Sequence, residues 1–251
     1  MPLKHSISWW CFADKLKAAE LIDAAVALGY DGFDLAGPEH WDAVRDAGLE
    51  LAAEVGHNSL EDGLNKAENH DRIEQEIEKN LAHAQKYSIL NLICFSGNRH
   101  GETDERGIEV TAAGLLRVAP AAEDAGVTLA LELLNSKVNH RGYQCDRTAW
   151  GLEVIRRVDS PRVKLLYDIY HMQIMEGDLV RTIRDHHAAF AHYHTAGNPG
   201  RHEIDGTQEI HYPAVVAAIR ETGFDGFLGQ EFVPMGNPIV SLENALNICR
   251  G

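Results

Sequence analysis

Four polar residues interrupt segments whose other side chains are suited to a hydrophobic core: Glu132 in ALELLN, Asp168 in LLYDIYH, His194 in AHYHTAG and Glu231 in LGQEFV. Any one of them alone is most simply a hydrogen-bonded structural group. As a set they are three carboxylates and an imidazole. If their segments are neighbours in space, the carboxylates repel one another unless a cation lies between them. A divalent metal ion is the economical resolution. Oxygen donors favour Mn²⁺ or Mg²⁺, and the imidazole admits Co²⁺ or Zn²⁺. Open positions on such an ion can accept two oxygens of an α-hydroxycarbonyl compound, polarise its carbonyl and stabilise the enediolate left when a proton departs from the adjacent carbon. Glu132 and Glu231, entering from different segments, can then trade protons as acid and base.

A second tier of residues is placed to hold a substrate. His171, three residues after Asp168, can reach a substrate oxygen, and a histidine satisfied by its own loop is the equal alternative. The loop TAGNPGRHEID (195–205) is too rich in Gly, Pro and charge for a core, and its Arg201 can pair with both oxygens of a carboxylate. His57 and Asn98 close two further strand-like runs and are candidates to line the pocket. Trp9, Trp10 and Phe12 would wall it or pack beneath it. HDRIEQEIEKN (70–80) and the pair His186-His187 read as solvated helix faces.

The elements that must position these residues recur as a βα unit. The strand-like runs are HSISWWCF (5–12), GFDLAG (32–37), ELAAEVGH (50–57), NLICFSG (91–97), TLALELLN (128–135), VKLLYDIYH (163–171), FAHYHTAG (190–197) and GFLGQEFV (226–233). Between them lie stretches such as DKLKAAELIDAAVAL (14–28), DRIEQEIEKNLAHAQKY (71–87), TAWGLEVIRRV (148–158) and YPAVVAAIRETG (212–223), whose apolar residues return every three or four positions. ALGYDGFDLAG (27–37) and ETGFDGFLGQE (221–231) form a partial repeat, each running from a helix end through glycine and an Asp-Gly turn into a strand. Only the second copy finishes on a carboxylate, Glu231. This alternation over about 250 residues predicts an α/β chain folded as one (β/α)8 barrel domain, residues 1–251, with its active site at the C-terminal ends of the strands. An open doubly wound sheet is the alternative. It would need a glycine-rich turn after its first strand, and ADKLK stands there instead. GxxxxGK[ST] is absent too, so no nucleotide cofactor is expected.

Composition narrows the partners. Lys and Arg number 23 against 38 Asp and Glu, a net charge of −15 that repels nucleic acid and anionic membranes. Fourteen histidines make metal or proton-transfer chemistry plausible. The four cysteines include no C-x-x-C pair, and MPLKHSISWW lacks the build of a signal peptide, which fits a cytoplasmic location. No apolar run reaches the roughly 20 residues of a membrane span. A small-molecule substrate is the expected partner, with a homo-oligomer as a further option.

At these residues the chain resembles a known family. ALELLNS, LLYDIYHMQ, HYHTAGNPGRHEID with TQEIHYPA, and GQEF are similar in order and spacing to the hydroxypyruvate isomerases, across essentially the whole sequence. HTAGNPGRHE and YDIYHMQ are the most specific segments. The resemblance implies a xylose-isomerase-like TIM barrel that interconverts hydroxypyruvate and tartronate semialdehyde (2-hydroxy-3-oxopropanoate). It implies Glu132 and Glu231 as the proton donor and acceptor, both also metal ligands, with Asp168 completing the acidic set. The third-ligand position is Gln in some hydroxypyruvate isomerases. It is His194 here, as in the related ketose 3-epimerases. Those epimerases carry a further substrate-binding Glu six residues after the first metal glutamate, where this chain has Val138. Relatives acting on 2-oxo-tetronates share the scaffold, and a non-catalytic metal or sugar-acid binding barrel is the alternative of another class. A metal-dependent endonuclease also exists on this scaffold, but the acidic charge opposes a DNA footprint.

Overall fold

The computed structural model describes residues 3–251. Every strand-like run forms a strand: β1 (Lys4–Ser8), β2 (Gly32–Asp34), β3 (Glu50–Val55), β4 (Asn91–Cys94), β5 (Thr128–Glu132), β6 (Val163–Asp168), β7 (Phe190–Thr195) and β8 (Phe227–Gln230). The strands are parallel and ordered around a closed barrel as they are in the sequence. Helices alternate with them: α1 (Ala18–Leu28), α2 (Trp41–Asp46), α3 (His70–Tyr87), α4 (Asp104–Ala125), α5 (Thr148–Val158), α6 (Ile169–Met175), α7 (Leu179–His186), α8 (Tyr212–Glu221) and α9 (Pro238–Arg250). Parallel neighbours need such crossovers, so the (β/α)8 expectation is met. No helix among the described residues is long and apolar enough to cross a membrane.

The strands end earlier than their apolar runs. Ser8 closes β1, and Trp9–Cys11 is a turn of 3₁₀ helix. The run that begins at Val163 stops at Asp168, whose carboxylate accepts the His171 N–H at 2.8 Å and so caps α6. The apolar residues that prolong the strand in the sequence, Ile169 and Tyr170, form the buried first turn of that helix. His171 therefore sits on a helix and not in a loop.

The chain divides into two compact units. One comprises residues 3–52, 178–187 and 192–251. Here β1 lies between β2 and β8, with Ser6 opposite Gly32 on one side and Gly229 on the other, and Ser8 opposite Asp34. The helix-ending glycines of the repeat, Gly29 at φ 82° and Gly223 at φ 77°, are both left-handed, as a side-chain-free residue allows. Gly32 is obligatory for a different reason, since a Cβ there would stand 2.4 Å from the Glu50 carbonyl oxygen. The other unit comprises residues 53–177 and 188–191. In it β4 pairs with β5 and β5 with β6, while α4 packs between α3 and α5. Its strands are buried along almost their whole length, the pattern of parallel strands covered by helices.

Candidate active site

In the first unit, His192 and His194 alternate along β7, so both imidazoles leave the same face of the strand, and both are fully buried. Glu231 follows β8 directly and is tied to β7 by its N–H, which donates to the Thr195 carbonyl at 2.9 Å. Four groups surround its carboxylate. Oε1 accepts from Ser8 Oγ at 3.2 Å and from Trp10 Nε1 at 3.0 Å, while Oε2 lies 3.2 Å from His194 Nδ1 and pairs with the Arg201 guanidinium at 2.5 Å. Burial pushes this carboxyl upward, but His194 and Arg201 outweigh burial and hold it well below the usual carboxylate range. Glu231 is therefore an ionised, buried acid at neutral pH. Arg201 sits at φ 60°, and its guanidinium lies 5.1 Å from the centre of the Trp10 ring.

The tryptophans divide between packing and site. Trp9 is buried, stacked on His40 at 4.3 Å and edge-on to Phe33 at 5.1 Å. Trp10 stays 44% exposed and spends its N–H on Glu231. Phe12 is core, packed against Phe232.

Beneath His194 lies a carboxylate the sequence did not bring forward. Asp34 is fully buried at the end of β2, and its Oδ2 accepts from Ser6 Oγ at 2.7 Å and faces His192 Nε2 at 3.3 Å and His194 Nε2 at 3.6 Å. Burial would raise its pKa, but the two imidazoles hold it far below the ordinary value. Asp34, His192 and His194 form a group with mutually close ligand atoms.

In the second unit, Glu132 is the last residue of β5 and is buried, with Tyr143 Oη donating to its carbonyl oxygen at 2.9 Å. Asp168 is the last residue of β6, and its Oδ2 lies 3.8 Å from His171 Nε2. His171 Nδ1 accepts the Asn135 N–H at 3.1 Å, so the ring proton belongs on Nε2. That makes His171 a donor directed through Nε2. The other two nominated residues differ from it. His57 Nε2 accepts the Phe95 N–H at 3.0 Å, and Nδ1 lies 3.0 Å from the Asn58 carbonyl. Both nitrogens serve the main chain, and burial lowers the pKa, so the ring is a neutral brace for the loop after β3. Asn98 is half-buried, and its main chain is held by Glu61 and by the Asn65 amide.

His194, Glu231, Arg201 and Trp10 thus meet in one unit, and Asp168, His171 and Asn135 in the other. Asp34, His192 and Asn135 were not singled out from the sequence. The available signals were weak: Asp34 follows an Asp-Gly turn, and only its position in a strand marks it as buried. A buried ionised carboxylate beside an imidazole is chemistry suited to a divalent ion.

Comparisons with known proteins bear on the family and the fold. A family model described as xylose isomerase-like TIM barrel matches residues 22–247. A putative hydroxypyruvate isomerase of Danio rerio is 31% identical over 129 residues, covering 51% of this chain and 47% of that protein. A 2-oxo-tetronate isomerase of Cupriavidus necator is 34% identical over 116 residues, covering 46% and 44%. The matched stretches thus span about half the length of these curated relatives. An AP endonuclease, family 2, from Brucella melitensis superposes with a TM-score of 0.86 at 23% identity, covering 96% of this chain and 97% of that one, a likeness of fold alone.

Proposed function

The chain belongs to the xylose isomerase-like TIM barrel family, and from that premise we propose that it is a metal-dependent isomerase of a small hydroxy-oxo acid, converting hydroxypyruvate to tartronate semialdehyde. The observation that carries this reading is the Arg201–Glu231 pair, a guanidinium able to bind a substrate carboxylate beside a buried, ionised acid. Glu132, Asp168, His194 and Glu231 would hold the ion. Support comes from the donors themselves: all four are buried, and each stands at or next to the end of its strand, on four consecutive strands. When bound, a divalent ion supplies Lewis-acid polarisation of the substrate carbonyl, with Mn²⁺ or Mg²⁺ favoured by the oxygen donors.

The chain's own residues do the rest. Arg201 orients the substrate through its carboxylate, and His171 Nε2–H donates to a substrate oxygen. One of Glu132 and Glu231 removes a proton from C3 of hydroxypyruvate, whose electron pair becomes the enediolate double bond. The other returns a proton to C2, and a hydroxyl hydrogen passes between the oxygens. The indole of Trp10 contacts both members of the Glu231–Arg201 pair, donating its N–H to Glu231 and lying against the guanidinium.

The 2-oxo-tetronate isomerase relative favours a second substrate of the same class, one carbon longer. A panel of hydroxypyruvate, 2-oxo-tetronates and free ketohexoses, assayed in D₂O after chelation and re-metallation, separates the readings. One of the two acids should turn over only with metal and take deuterium at the reacting carbon. Failure of both acids with every metal supplied, or full turnover in chelator, refutes the proposal, and turnover of ketohexoses alone replaces it with an epimerase.

A further inference from the structure

We propose that Asp34 is a positioning residue for the metal site, fixing the ring of His194 so that Nε2 carries the proton and Nδ1 is presented as the ligand. The inference rests on the reading of His194 as a metal ligand. Its basis is the pair of carboxylates on opposite edges of one imidazole: Asp34 Oδ2 lies 3.6 Å from Nε2, and Glu231 Oε2 lies 3.2 Å from Nδ1. An imidazole that ligates through one nitrogen must bear its proton on the other. A carboxylate opposite that second nitrogen sets the tautomer, orients the ring and raises its basicity.

The surroundings show that the carboxylate is kept where it is. Ser6 Oγ donates to the same Oδ2 at 2.7 Å, and His192 Nε2 approaches it at 3.3 Å. Strand β8, on the far side of β1 from β2, gives up a side chain to admit it. A Cβ at Gly229 would stand 2.2 Å from Asp34 Oδ2, 3.0 Å from His194 Cδ2 and 3.2 Å from Ser6 Oγ. A fully buried carboxylate is expensive to retain for packing alone. Asp34 itself neither ligates nor touches substrate in this account, so its effect passes through His194.

The test uses the whole chain, ¹⁵N-labelled at histidine, in Zn²⁺-loaded and metal-free forms, together with Mn²⁺ titrations followed by electron paramagnetic resonance. In the wild type, the His194 Nε2 should carry a proton in both forms. Asp34→Asn should redistribute that proton and weaken Mn²⁺ binding by about 10- to 100-fold, the usual effect of losing an outer partner of a ligand. Gly229→Ala, which removes no polar group, should do the same by displacing the carboxylate and crowding the His194 ring. His194→Gln serves as the ligand control. A wild-type ring protonated on Nδ1 alone overturns the inference, whether or not either variant folds. So does an Asp34→Asn protein with wild-type Mn²⁺ affinity and tautomer, or a second Mn²⁺ equivalent that Asp34→Asn abolishes, since Asp34 would then be a ligand. If the wild type binds no Mn²⁺, the metal reading fails separately, and the metal-free spectra still decide: a tautomer altered in Asp34→Asn supports the positioning role, and an unaltered one overturns it.

Discussion

Replacing Glu231 with Gln tests the chemistry and the packing of the site together. The carboxylate accepts from Ser8 and Trp10 on one oxygen and faces His194 and Arg201 on the other. A glutamine can keep the first pair of bonds, but its amide then points NH₂ at the Arg201 guanidinium. The Arg201 charge, only 14% exposed, loses its ion pair with Glu231. Breaking one half of a buried ion pair costs about 3–5 kcal/mol. For a chain of this size each kcal/mol moves the melting temperature by about 2–4 °C, so a fall of about 6–20 °C is expected. Melting is followed by circular dichroism with metal supplied, where loss of a ligand adds in the same direction. Turnover should fall by at least about 100-fold through loss of an acid-base group. Arg201→Met in the Glu231→Gln background removes the guanidinium as well as the carboxylate. The double variant should therefore recover about 1–3 kcal/mol relative to additivity. An unchanged melting temperature and turnover in Glu231→Gln would refute both the pairing energetics and the proton-transfer role.

Two further outcomes follow from buried groups. Burial holds the His5 imidazole at about 4, while the unfolded chain titrates near 6.5, so the unfolded state binds more protons between those values. Stability is intact above pH 6.5 and is lost as the pH falls toward 4, by about 3 kcal/mol from this residue. His5→Gln should flatten the pH dependence of denaturant unfolding across that window, and an identical profile would count against the assignment. The cysteines Cys11, Cys94, Cys145 and Cys249 are all buried, and burial raises the Cys94 and Cys249 thiols to about 12. A thiol reagent at pH 8 should find no reactive group in the native protein and four after denaturation. Any fast-reacting thiol in the native state would contradict this burial.

Much of the barrel was legible because a parallel strand covered on both sides is written as an apolar run, and each of the eight runs became a strand. Their ends were not. An apolar segment of a few residues carries no period that separates strand from helix, so Ile169 and Tyr170 read as more of β6 when they are the start of α6. The acids and His194 could be found because they break such runs. Asp34 could not be found that way. β2 is only three residues long, and an aspartate two residues after an Asp-Gly turn looks like part of that turn. The hydrogen bonds that make His57 a brace and His171 a directed donor involve the main chain of Phe95 and Asn135, partners no side-chain pattern records.

The internal repeat shows how a common scaffold came to carry different chemistry. Both copies use a left-handed glycine to leave a helix, Gly29 and Gly223, and both place a buried phenylalanine, Phe33 and Phe227, in the strand that follows. Those strands, β2 and β8, flank β1 on its two sides. Beyond the phenylalanine the copies diverge, with Asp34-Leu35 in one and Leu228-Gly229 in the other. The differences are complementary. The carboxylate of Asp34 occupies the space that Gly229 leaves, and a side chain at 229 would collide with it. Identical copies could not achieve this, because a leucine at 34 would leave His192 and His194 without that acid and any Cβ at 229 would displace it. Glu231 then lies two residues past Gly229, on the same side of the chain by strand alternation, with His194 between it and Asp34. The turn and the phenylalanine serve the scaffold, and the two positions after the phenylalanine set the environment of a proposed ligand.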